Sequence, residues 1–171
     1  MLLLLFGDKA IVIVYYDVID SPVGIVYVVF TGDVLKGVTL ERPPCRNYPI
    51  NSRIKNQFYE YFAGNRKSFD VGLYLDEITP FCAAVYETLN RVSYGDVCTY
   101  KELAQWVGIV GGARAVGQAL RKNPLPVVIP CHRVIASNGS LGGFSLGLHI
   151  KRWLLEREKV SISLFTSYLV D

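Results

Sequence analysis

The chain has 171 residues, 51% of them hydrophobic and 19% charged, with a formal net charge of +3. This composition supplies a core for one medium domain or two small ones and excludes a disordered chain. The mild basic excess permits a nucleic-acid partner without demanding one.

Cysteines at 45, 82, 98 and 131 show no C-x-x-C spacing, so neither a zinc knuckle nor a secreted disulfide framework is expected. No histidine precedes His132, which leaves no amino-terminal Cys/His zinc site, and no metal is expected. The opening MLLLLF lacks a basic flank and is cut short by Gly7-Asp8-Lys9, which makes a poor signal peptide. No apolar run reaches membrane length. A soluble intracellular protein with no membrane partner is the expectation.

Residues 9–19 are β-branched and aromatic and read as a buried strand. Ser21-Pro22 punctuates. Residues 23–30 read as a second strand, Gly32-Asp33 as a tight turn and residues 34–40 as a third strand, together an antiparallel meander. Pro43, Pro44 and Pro49 mark a loop. Ser52 is placed to cap a helix with Ile54, Phe58, Tyr61 and Phe62 on one face, stopped by Gly64. Residues 68–76 read as a last strand. This half carries no repeat, metal-ligand set or acid pair, and a supporting role is what its residues suggest.

Near Asp76 the apolar period changes from 2 to 3.6, so a boundary is expected between residues 1–77 and 78–171. Thr79-Pro80 starts a helix with Phe81, Ala84, Val85, Thr88, Leu89 and Val92 inward. Thr99-x-x-Glu102 is a capping box opening a short helix, with Leu103, Ala104 and Val107 inward. Residues 108–112 form a turn, and a second short helix spans about 112–122 with Arg114, Gln118 and Arg121 outward. Such a pair has the form of a helix-turn-helix, although any amphipathic helix pair presents a charged outer face. Gly112, Ala113, Ala115 and Gly117 leave the second helix little bulk near its start, at a cost in helix stability. Tight packing on a neighbouring helix and a functional need for a slim surface explain this equally well.

Asn123 then leads into residues 124–135, PLPVVIPCHRVI, where Pro124, Pro126 and Pro130 stiffen the backbone. A thiol beside an imidazole suggests nucleophilic chemistry. A core cysteine next to a surface histidine is the plainer reading of a bare pair. Adjacent side chains diverge, so an intervening water is more plausible than a direct Cys131–His132 bond. In the last helix, residues 149–159, Ile150, Trp153, Leu154 and Glu158 share one stripe, and Glu156 points elsewhere. A carboxylate on an apolar stripe needs a partner, for which His132 is the candidate, unless Glu158 simply reaches solvent from the helix end.

These residues carry a resemblance. YGDVCTYKELAQW, GARAVGQALRKNP, IPCHRVIASNGSLGGFS and KRWLLEREKV occur in the order of the O6-alkylguanine-DNA alkyltransferases (methylated-DNA–protein-cysteine methyltransferases), from about Ile78 to Val160. The chain resembles that family strongly there and weakly before it. The resemblance implies an α/β protein: a small antiparallel, ribonuclease-H-like amino-terminal domain and a mostly helical domain with the helix-turn-helix. It implies direct repair of O6-alkylguanine in double-stranded DNA, reached through the minor groove by flipping the base, with one irreversible alkyl transfer per molecule and no cofactor. A monomer in the cytoplasm, or the nucleus of a eukaryote, is expected.

By the same resemblance, Cys131 accepts the alkyl group, His132 and Glu158 serve it through a water, and Tyr100 protonates the leaving guanine and helps turn the nucleotide. Asn123 ties the DNA-binding helices to the nucleophile segment. Pro126, the Val134 carbonyl and Ser145 line the guanine site. Gly112, Ala113, Ala115 and Gly117 give the slim helix surface, Arg114 the finger that fills the duplex, and Arg121 a phosphate contact. Phe144 stands where tyrosine is common and Leu146 where glycine is frequent, two departures from the family pattern. Rival classes are a non-catalytic lesion binder, which such a cysteine opposes; a helix-turn-helix regulator with a redox thiol; and a Cys-His hydrolase, which adjacency opposes.

Overall fold

The computed structural model describes residues 12–160. The MLLLLF opening and the start of the first expected strand, residues 9–11, lie outside the described residues. Described residues up to Glu77 form one unit and those from Ile78 a second.

The first unit is built on β1 (Tyr15–Ser21), β2 (Gly24–Thr31) and β3 (Val34–Thr39), which pair antiparallel in sequence. Gly32, at φ 55, takes the left-handed conformation that the β2–β3 turn requires without a Cβ penalty. Alternation decides the buried face: Val26, Val28 and Phe30 point inward from β2, with Ile19 from β1 and Leu35 from β3. The sheet is not purely antiparallel. The short strands β4 (Arg46–Asn47) and β5 (Gly72–Leu73) add parallel edges beside β1 and β3.

Helix α1 (Ser52–Ala63) contributes Phe58, Tyr61 and Phe62 to this core. Its cap is Asn51, one residue before the expected Ser52, because the Asn51 carboxamide accepts from Arg53 N at 3.0 Å. The expected strand over residues 68–76 shrinks to Gly72–Leu73 for a definite reason. Gln57 takes both backbone groups of Asp70, accepting from its N at 2.7 Å and donating to its O at 3.0 Å. Phe69 then packs on Phe58 and Tyr61, with ring centroids 4.9 and 5.2 Å away. A side chain thus replaces the ladder that would have extended the strand.

In the second unit α2 (Pro80–Leu89) starts at Thr79, whose hydroxyl accepts from Cys82 N. Its buried residues are Cys82, Val85, Tyr86 and Leu89, so the expected face, with Phe81, Ala84 and Thr88, is rotated by one position. The cause is Tyr86, whose hydroxyl donates to Ala119 O at 2.9 Å. β6 (Cys98–Thr99) leads into α3 (Tyr100–Trp106) through the Thr99–Glu102 capping box. A turn leads to α4 (Ala113–Arg121), which packs on α2 and α3. β7 (Val134–Ile135) pairs parallel with β6, and α5 (Leu148–Arg157) follows. Glu158 caps α5 instead of lying within it, and Lys151 and Leu155 join Ile150 and Leu154 on its buried side, while Trp153 is only half-buried. No helix among the described residues is long and apolar enough to cross a membrane.

Candidate active site

The segment between α4 and β7 is held by Asn123 at one end and by backbone geometry along its length. The Asn123 carboxamide accepts from Leu125 N at 3.0 Å and donates from Nδ2 to Ile129 O at 3.0 Å. The same Nδ2 lies 3.1 Å from Cys131 Sγ, so one buried side chain spans both ends of the segment. Between them Val127 sits at φ 78, which costs a β-branched residue on the order of 1–3 kcal/mol. Cys131, His132 and Arg133 form a single 3-10 turn after Pro130, and all three are buried.

Behind the cysteine is an ion cluster. His132 Nε2 lies 3.0 Å from Glu158 Oε1. Arg133 donates to both oxygens of Glu158, each at 2.9 Å, and to Val92 O at 2.7 Å, while Gly95 N reaches Oε2 at 3.3 Å. Burial by itself would raise the Glu158 carboxyl, but the hydrogen bonds and charges of His132 and Arg133 bring it down to about 2. Burial lowers His132, and the carboxylate opposes this only in part. At neutral pH the pair is therefore a carboxylate and a neutral ring. Nε2 then carries the proton toward Glu158, and the buried Nδ1 is left as the basic nitrogen.

In front of the cysteine is a cleft of about 480 Å³, lined by Tyr100, Gly117, Leu120, Arg121, Cys131, Gly143, Phe144 and Ser145. Small-molecule sites span roughly 300–1,000 Å³, so one flat heterocycle fits. The glycine-rich loop forms one wall. Tyr100 donates to Gly143 O at 3.4 Å, Phe144 stands edge-on to the His132 ring at 6.3 Å between centroids, and Lys151 donates to Leu141 O and Gly143 O. Burial pushes the Cys131 thiol up to about 11, against the opposing pull of the Asn123 hydrogen bond and the Lys151 charge. At rest the sulfur is a thiol. Burial also raises Tyr100, which keeps its proton.

The cleft brings together Cys131, Tyr100, Gly117, Arg121 and Ser145 from the sequence-derived set. Asn123 and Val134 are buried outside its lining, and the Val134 carbonyl already accepts from Lys151 at 2.5 Å. Pro126, expected to line the pocket, is buried in a bridge with Ile129 beside the positive-φ Val127 and is not among the residues lining this cleft. On α4, Arg114 and Ala115 are exposed and Ala113 is half-buried. The two glycines differ: a Cβ on Gly112 would meet Ile109 Cγ2 at 2.6 Å, whereas one on Gly117 would touch Tyr100 no closer than 3.8 Å. Packing explains Gly112. Gly117 leaves room in the cleft.

Comparison with known proteins decides the family. The family model for the 6-O-methylguanine DNA methyltransferase DNA-binding domain matches residues 80–160. A methylated-DNA–protein-cysteine methyltransferase of Methanosarcina acetivorans is 37% identical over 153 residues, covering 84% of this chain and 97% of its own. One of Mycobacterium tuberculosis is 39% identical over 154 residues, covering 85% and 93%. The chain belongs to the methylated-DNA–protein-cysteine methyltransferase family. Among solved structures, Mycobacterium tuberculosis O6-methylguanine methyltransferase superposes with a TM-score of 0.79 at 37% identity, covering 86% of this chain and 93% of that one. The same organism's protein in complex with DNA gives 0.80 at 36%, covering 88% and 98%.

Two residues of this methyltransferase site escaped sequence reasoning. Arg133 read as part of a motif rather than as the second partner of Glu158. Lys151 drew no reading from the sequence, yet it is fully buried. The available signal for Lys151 was its position next to Ile150 and three before Leu154, at the edge of the apolar stripe.

Proposed function

We propose that this chain repairs O6-alkylguanine in DNA by moving the alkyl group onto Cys131. The observation that carries the reading is that Cys131 lines the cleft and is followed directly by His132, whose ring is paired with the buried Glu158. The thiol is protonated at rest, so attack requires that its proton leave. A water bridging to His132 Nδ1 takes it, and the imidazolium that forms is stabilised by the Glu158 carboxylate. Sulfur then bonds to the alkyl carbon as the carbon–O6 bond breaks. The guanine anion receives the Tyr100 proton, and Arg121, on the cleft wall, meets backbone phosphate. The product thioether is stable, so each molecule reacts once, and no step calls for a cofactor or metal.

The lesion has to leave the base stack to reach a buried sulfur. In this reading α3, the glycine-containing turn and α4 act as a helix-turn-helix whose slim, arginine-bearing face lies in the minor groove. Arg114 fills the space left by the flipped base. Ser145 faces O6. The Val134 carbonyl has a second lone pair for the exocyclic amine, and Asn123 holds the nucleophile segment. The first unit is read as a ribonuclease-H-like support, and the protein as an intracellular monomer.

The test is intact-protein mass before and after incubation with duplex DNA carrying O6-methylguanine. One methyl group on Cys131 is expected, with none on Cys131→Ala although that variant still binds DNA. A methyl group on another cysteine, or no mass change, overturns the assignment.

A further inference from the structure

Lys151 is the largest charged side chain in the second unit with no exposed surface, and the chemistry described so far does not use it. Burying an ammonium is costly unless its hydrogen bonds are made. Here they are made by two separate stretches of chain. Nζ donates to Val134 O at 2.5 Å, on the strand that directly follows the nucleophile turn, and to Leu141 O and Gly143 O (3.3 Å) in the glycine-rich loop. An ammonium has three N–H groups and these are three carbonyl acceptors, so the match depends on the charged form.

We propose that Lys151 is a positioning residue for alkyl transfer, a bolt that fixes the glycine-rich loop to β7 and so sets where Phe144 and Ser145 stand over Cys131. This rests on the methyl-transfer reading above and deepens it. Three observations support it. The loop lacks a regular ladder at 141–144, so side-chain bonds have to place it. Tyr100, the second group on the Gly143 carbonyl, must let go of it in order to reach a guanine, and Lys151 then keeps that carbonyl in place. The fit is also close: a Cβ on Gly142 would lie 2.8 Å from the Tyr100 ring, so a small loop displacement moves the cleft wall.

The charge has a further consequence. Burial lowers Lys151 to about 8, and only the ionised forms of Cys131 and Cys98 pull it back up. Lys151 in turn favours the Cys131 thiolate and the neutral form of His132. Above about pH 8 the neutral amine has only two N–H groups for three carbonyls, and one contact is lost.

The experiment compares wild type, Lys151→Arg and Lys151→Met in single-turnover reaction with O6-methylguanine duplex and in backbone hydrogen exchange. Lys151→Met is expected to lower the saturating transfer rate by about a hundredfold, the scale of an ångström-sized misplacement. The DNA concentration at half-saturation should not change, since α4 is untouched. Exchange protection should fall at 141–145 and persist at 113–121, and Lys151→Arg should recover part of the rate. An unchanged saturating rate, or equal loss of protection in both segments, overturns the proposal. Should Lys151→Met fail to fold, wild type decides: protection at 141–145 must drop relative to 113–121 between neutral pH and about pH 10, and a constant ratio refutes the bolt. If wild type transfers no methyl group at all, the parent reading fails, while the exchange result still judges the loop contact.

Discussion

Arg133 and Glu158 are joined by two hydrogen bonds of 2.9 Å each, one to each carboxylate oxygen, and neither side chain is more than slightly exposed. The arrangement gives the carboxylate a permanent positive partner besides His132. Glu158 stays ionised whether or not His132 is protonated, so the ring always has a negative charge to lean on. It also offsets the unfavourable position of an acid at the carboxyl end of α5.

Glu158→Gln should therefore do two things at once. It leaves the buried Arg133 guanidinium without a counter-charge, which costs a few kcal/mol of stability. It also removes the support for the imidazolium, slowing alkyl transfer at neutral pH by about a hundredfold or more. Glu156→Gln, on the exposed side of the same helix, should change neither thermal melting nor single-turnover rate. Similar behaviour of the two variants would dispose of the relay.

Acid stability follows from the same cluster. The folded value of about 2 for Glu158 lies below the ordinary 4.5, so the unfolded chain takes up its proton first. The stabilisation is complete above pH 4.5 and is lost as pH falls toward 2. Asp17, in the other unit, is lowered as well: its bonds from Lys55, Val18 and Ile50 outweigh burial, and the slope there has the same sign. Denaturant unfolding across this window should show the decline, and Glu158→Gln should flatten the part belonging to the second unit.

Arg114 tests the route to the sulfur. It is exposed on the first turn of α4 and does not line the cleft. Arg114→Ala should slow repair of duplex DNA far more than reaction with free O6-benzylguanine, which has no stack to leave. Equal losses would make it a structural residue. Duplex binding should also weaken steeply with salt and show little sequence preference, because phosphate contacts dominate.

The glycines of α4 give opposite expectations. Gly112→Ala drives a Cβ to 2.6 Å from Ile109 and should destabilise the turn. Gly117→Ala fits at 3.8 Å and should gain up to about 1 kcal/mol from helix propensity. Its added methyl group protrudes into the cleft beside Tyr100, so transfer to Cys131 should slow even as melting temperature rises. Faster or unchanged transfer in Gly117→Ala would show that this wall does not touch the base.

Much of this chain is legible from short-range rules. The meander β1–β3, the Thr79 and Thr99 caps, the Gly64 stop and the outward Arg114, Gln118 and Arg121 all depend on residues within a few positions of each other. Even the His132–Glu158 contact was accessible, because a carboxylate on an apolar stripe demands a partner and the chain holds only two histidines. The membership of the family was legible too, from motifs whose order and spacing fill the second unit.

What the sequence could not reveal depends on groups far apart in the chain competing for the same bond. Gln57 takes the backbone of Asp70 and cancels a strand that local propensity favours. Tyr86 rotates α2 by reaching a carbonyl 33 residues away. Arg133 shares Glu158 with the histidine, and Lys151 is drawn into the interior by carbonyls of two different segments. Propensity and periodicity describe how one element meets water. They carry no information about which unpaired donor or acceptor of another element will be waiting when the two are packed, and that is decided only in three dimensions.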